Sequence, residues 1–130
     1  MKAYVLDTHA LVWYLRGRRV GKAAGRALRE IDRGASRAWI PAIVLVEIAL
    51  LRERGRSTIG VAEVEASMVR NPELQPLPLD LAQAKEFTRL GGVADPFDRL
   101  IMAAARSTGC PLVTADERVA ASGLVHVIWD

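Results

Sequence analysis

The stretch Lys2–Leu15, "KAYVLDTHALVWYL", governs how the rest of the chain reads. After Lys2, residues 3–6 form a short apolar run, of the kind found in a strand buried on both faces. Ala10, Leu11, Tyr14 and Leu15 then recur at helical spacing. Asp7 stands at the junction. A short apolar strand running through one acid into a helix is the opening half of a β-α-β unit.

Working outward, the same alternation continues. Val20, Ala24, Leu28 and Ile31 lie on one helical stripe that Gly34 ends. "RAWI" (37–40) is a short strand, and Pro41 opens a helix through "AIVLVEIALLRER" that stops at Gly55. A helix over 60–70 ends at Asn71-Pro72, and "LQPLPL" (74–79) is extended. Asp80 caps a helix that Gly91-Gly92 terminate, and another runs from Pro96 to about Ser107. "PLVT" (111–114) is a strand, "DERVAAS" (116–122) a short helix and "LVHVIW" (124–129) a last strand. Strands alternating with helices predict an α/β fold, a mostly parallel central sheet flanked by helices on both faces. With no repeat or linker, residues 1–130 are expected to form a single domain.

Composition narrows the classes. Hydrophobic residues make up 51% and charged residues 25%, which excludes a disordered chain. The longest apolar run, "IPAIVLVEIALL", carries Glu47 and is shorter than a membrane span, so no membrane partner is expected. The N-terminal stretch has one lysine and an aspartate within its apolar part, a poor signal peptide. A single cysteine, Cys110, rules out an intramolecular disulfide and points to a cytoplasmic location. Net charge is +3 and nearly all the cations are arginine, a composition that permits a nucleic-acid partner.

Four acids carry the chemistry. In "GGVADPFDRLIMAAA" (91–105), Pro96 is set for the first helical position and Asp95 before it is a good N-cap. Asp98 then falls at the third helical position, where a negative charge suits the helix dipole. Capping alone would explain both. Asp7 and Asp116 each follow a strand and so share the carboxyl edge of a parallel sheet, where sites form. Each would also cap the helix behind it. Glu47 has only apolar neighbours three and four residues away, namely Ile43, Val44, Leu50 and Leu51. An ionised carboxylate there needs donors or a cation. Either a buried arginine pairs with it, or Glu47 faces a shared acidic pocket. Were Asp7, Glu47, Asp98 and Asp116 to share one pocket, their repulsion would call for a divalent cation. An all-oxygen set favours Mg²⁺, with Mn²⁺ the alternative.

Four stretches, "YVLDTHALVWYL", "PAIVLVEIALL", "DPFDRLIMAAA" and "PLVTADERV", together resemble the PIN-domain family, and within it the VapC-like toxins. The resemblance spans almost the whole chain, with the motifs in the family's order. It implies that Asp7, Asp98 and Asp116 are metal ligands and that Glu47 binds metal directly or through water. It implies that Asp98 rather than Asp95 is the third acid, and that the Thr114 hydroxyl reaches the metal through water. It further implies a Mg²⁺-dependent endoribonuclease acting on an RNA substrate, a homodimer, and inhibition by a cognate VapB-like antitoxin. The alternatives are a free-standing PIN nuclease and a non-catalytic PIN-like module that binds RNA or a partner.

Other residues invite functional readings. His9 would serve as a general base, yet it also fits the start of many family members. Trp13, Trp39 and Trp129 suit packing better than base stacking, and His126 and Cys110 suit structural roles. Arg99 would pair with phosphate or with a nearby acid. Leu11, Val12 and Leu15, with the "IVLVEIALL" helix, offer apolar surface for a dimer seam or an antitoxin groove. A haloacid dehalogenase-type phosphatase would need an aspartate where His9 stands. A receiver domain would need a lysine after a late strand, but the only late lysine, Lys85, falls within a helix.

Overall fold

A computed structural model describes residues 1–130. Five strands form one sheet in the order β3-β2-β1-β4-β5, and every neighbouring pair is parallel. The elements are β1 (Lys2–Leu6), α1 (Thr8–Leu15), α2 (Lys22–Asp32), β2 (Ser36–Pro41), α3 (Ala42–Glu53) and α4 (Val61–Arg70). Then come β3 (Leu74–Leu77), α5 (Leu81–Arg89), α6 (Pro96–Thr108), β4 (Leu112–Val113), α7 (Glu117–Ser122) and β5 (Val127–Ile128).

β1 lies at the centre, and Tyr4, Val5 and Leu6 are buried. The amphipathic stripe of α2 buries Ala24, Leu28 and Ile31 as its spacing predicts. Pro76 lies in β3, an edge strand, where a missing N–H removes no bond from the sheet interior. Pro41 is the last residue of β2 and the N-cap of α3, rather than the first helical residue. Gly109 closes α6 in the left-handed region, at φ 67°, and so turns the chain into β4.

Two expectations are corrected. The last two strands have two residues each, shorter than their apolar runs. Leu11 and Val12 are core residues, so α1 does not present them to a partner. Of α1 and α3, the latter keeps the more open apolar residue, Val46, which is 50% exposed.

The strand order locates the site. From β1 the chain builds outward through β2 and β3, then returns to place β4 on the other side of β1. Between β1 and β4 the order reverses, and helices leaving the two strands diverge to leave a crevice at their carboxyl ends. Asp7 lies at the end of β1, where its N–H donates to the Val113 carbonyl of β4 at 3.2 Å.

Candidate active site

A cleft of about 560 Å³ opens at this crevice, and Asp7, Glu47, Asp98 and Asp116 all line it. Asp95, Thr8, His9, Trp13 and Arg118 complete its polar and aromatic walls. Three helices begin here, each capped by an aspartate. One Asp7 oxygen accepts from the Ala10 N–H at 2.8 Å. One Asp95 oxygen accepts from Phe97 at 2.8 Å and from Asp98 at 3.3 Å. One Asp116 oxygen accepts from Arg118 at 2.9 Å and from Val119 at 3.3 Å. In each case the same oxygen, Oδ1, does the capping, which leaves the second oxygen for the cleft. The capping and site readings of these residues are therefore compatible.

Glu47 has no arginine partner. The hydroxyl of Thr8, a buried residue, donates to Glu47 Oε1 at 2.7 Å. Thr114 is also buried, and its hydroxyl accepts from the Asp116 N–H at 3.1 Å. It also opposes the rise in Asp7's proton affinity that burial causes. Asp98 differs from its neighbours, because no protein donor reaches its carboxylate. His9 is exposed and tilts onto Trp13, with ring centroids 5.8 Å apart. Arg99 does not face the acids. It stacks over Phe87 at 3.9 Å and donates to that residue's carbonyl at 2.9 Å.

The electrostatics of the cleft are unbalanced. Burial pushes Asp7 up from the usual carboxylate range, against hydrogen bonds from Thr114 and Ala10. Its surface is partly open to the cleft, but the carboxyl group sits low among protein atoms. Burial also raises Glu47, with Asp95 and Asp7 adding to the effect. Asp98 is raised by burial and then by Asp95, Asp116 and Glu47. The nearest fixed cation is Arg118, 3.6 Å from Asp116 Oδ2, but its side chain is 88% exposed and weakly compensating.

A hard divalent cation fits this donor set, since all the available ligands are oxygens and their repulsion is uncompensated. The acids ring the cleft rather than close on one point. No group of three His, Cys, Asp or Glu side chains stands within ligating range of a common position. Mg²⁺ keeps several waters, so a ring of carboxylates spaced by waters suits it. Thr8, Arg118 and the inward placement of Asp95 were not anticipated. The one sequence signal for Thr8 was its position beside Asp7.

The fold and cleft define a class: a parallel α/β domain with carboxylates gathered at the switch point of its sheet. The chain belongs to the PIN domain family, whose model matches residues 4–123. No curated protein sequence matches the chain. Its fold is similar to a chain of VapBC2 from Rickettsia felis, bound to a DNA fragment from its promoter. There the TM-score is 0.70, identity 15%, and coverage 96% of each chain. It is also similar to DNA-bound VapBC from Salmonella typhimurium, at TM-score 0.66 and 18% identity, over 98% of this chain and 97% of that one. VapC20 from Mycobacterium tuberculosis, described as a sarcin-ricin loop cleaving toxin, aligns at TM-score 0.61 and 20% identity, over 96% of this chain and 98% of that one.

Proposed function

We propose that the chain, as one PIN domain over residues 1–130, is a divalent-cation-dependent endoribonuclease and the toxin of a VapBC-type toxin–antitoxin pair. The observation that carries this reading is the cleft itself. Asp7, Glu47 and Asp98 are the chain's only carboxylates raised from their usual range, and all three face one crevice with Asp116. Groups perturbed together in a cleft mark a functional site. The VapBC neighbours and VapC20 support the toxin and RNA parts of the reading.

Asp7, Asp98 and Asp116 would hold Mg²⁺ or Mn²⁺, with Glu47 binding directly or through water. The cation would activate water and neutralise charge on a phosphodiester during hydrolysis. The protein's own residues set the stage. Thr8 holds the Glu47 carboxylate at 2.7 Å, so that it is oriented before any ligand arrives. Thr114 accepts from the Asp116 N–H at 3.1 Å, and its hydroxyl favours the ionised form of Asp7, so it acts on acids that follow two neighbouring strands. This bonding gives Thr114 a positioning role beside any contact through water. The caps use one oxygen of Asp7 and one of Asp116 and fix the direction of the other.

The antitoxin would be a VapB-like protein, and the exposed face of α3 around Val46 offers apolar surface for it or for a second copy in a homodimer. No helix is long and apolar enough to cross a membrane. Purified protein incubated with total RNA and Mg²⁺ should leave new, sequenceable ends, and EDTA should abolish them. Intact RNA after incubation with folded protein in both Mg²⁺ and Mn²⁺ would overturn the nuclease reading. Light scattering tests the dimer, and co-purification with the product of an adjacent reading frame tests the antitoxin.

A further inference from the structure

A second cleft, of about 660 Å³, opens between the end of α1 and one side of α2 along its length. Four cations line it: Arg18, Arg19, Lys22 and Arg29. None of them makes an ion pair or a side-chain hydrogen bond. By contrast, Arg37, Arg52, Arg89, Arg106 and Arg118 are each paired with an acid. The cleft contains a single carboxylate, Asp32, which accepts the Tyr14 hydroxyl at 2.8 Å. Gly17, Gly21 and Gly25 also line it, and at Gly17 open space stands where a side chain would project.

This basic cleft meets the acidic one where Arg18 of the first packs over Trp13 of the second. Trp13 lines the acidic cleft, and Tyr14 lines the basic one. The Arg18 guanidinium carbon lies 5.4 Å from the Trp13 ring centroid and so borders both. A substrate strand whose reacting phosphate sits among carboxylates needs its neighbouring phosphates neutralised elsewhere. Four unpaired cations against one engaged acid match a polyanion with spaced charges better than a single anion. The aromatic wall between the clefts suits a single strand, whose bases are free to stack.

We propose that this cleft is a track for single-stranded RNA flanking the scissile bond, with successive phosphates held by Arg18, Arg19, Lys22 and Arg29. The proposal rests on the nuclease reading above. Its test separates binding from cleavage. The probe is a fluorescein-labelled single-stranded RNA of about 20 nucleotides, followed by anisotropy in EDTA across a salt series. Arg19→Gln with Lys22→Gln should weaken binding about tenfold and reduce the salt slope by about 1.4, the loss of two single-strand phosphate contacts. Arg54→Gln with Arg56→Gln, also at exposed positions, is the control and should change neither. Arg29→Gln alone should shift binding in the same direction by a smaller factor. Equal binding by the test and control pairs would overturn the proposal. So would a labelled poly-glutamate peptide that requires Arg19 and Lys22 while RNA binding does not. RNA binding that needs the cleft, in a wild type that cuts nothing with Mg²⁺ or Mn²⁺, would keep the track and remove the nuclease reading.

Discussion

Asp7, Asp95 and Asp116 each commit one oxygen to a helix start, whereas Asp98 commits neither. The two acids of the 95–98 pair should therefore separate on mutation. Asp98→Asn should lower cleavage about 100-fold or more, since losing even an outer contact to a metal site costs 10–100-fold. Asp95→Asn keeps a capping oxygen and should stay within a few-fold of wild type. Comparable losses in both, at equal melting temperature, would contradict the division. Thr8→Val removes the donor to Glu47 and should cost about 1.5–3 kcal/mol, while Thr8→Ser restores it. Chemical denaturation of the two variants checks this. At this scale the sequence was informative where chemistry is local. Asp7 and Asp116 stood out because each follows a strand, and Glu47 because nothing polar surrounds it. Arg118 and the Thr8–Glu47 bond escaped notice because they depend on how elements far apart in the chain come together.

The elements were legible where periodicity or a cap marks them. The stripe of α2, the Asp80 and Asp95 caps and the extended stretch with Pro76 stand as the sequence predicts. Strand length was not, because a ladder ends where its neighbour ends. β4 pairs over two residues with β1 and β5, whatever the apolar run allows. α2 also shows a constraint that periodicity cannot reveal. A Cβ on Gly21 would fall onto the Trp129 carbonyl oxygen, which accepts the Ala24 N–H at 3.0 Å. Gly21→Ala should therefore push the final strand off α2 and cost about 1–3 kcal/mol. Gly25→Ala, one turn on, meets the flexible end of Arg29 at 3.3 Å and Val20 at an ordinary packing distance of 3.8 Å. It should stabilise the helix by about 0.5–1 kcal/mol. Thermal melts of the two variants should thus move in opposite directions, and a shared direction would refute the backbone contact.

For the whole molecule the unbalanced cleft sets the pH response. Asp7, Glu47 and Asp98 bind protons more tightly folded than unfolded. Their contribution to stability is complete below the unfolded carboxylate range and is lost as pH rises through the raised folded values. Glu30 and Glu86 are held below that range, Glu30 by Ser36 and Glu86 by Arg106. Their stabilisation is lost only at more acidic pH. In EDTA the melting temperature should therefore be higher near about pH 5.5 than near about pH 7.5. Millimolar Mg²⁺ should raise it at the higher pH and shrink the difference. A flat profile with and without Mg²⁺ would count against a cation site. The strand order has a further consequence, for synthesis on the ribosome. Asp7 lies at the end of the central strand, yet β4 and Asp116 follow about a hundred residues later. The nascent chain has to hold β1 without its second partner until β4 emerges, as non-local sheets do. Every nascent chain that stops short of Asp116 carries an incomplete set of acids, so whatever the cleft does begins only once that residue has emerged.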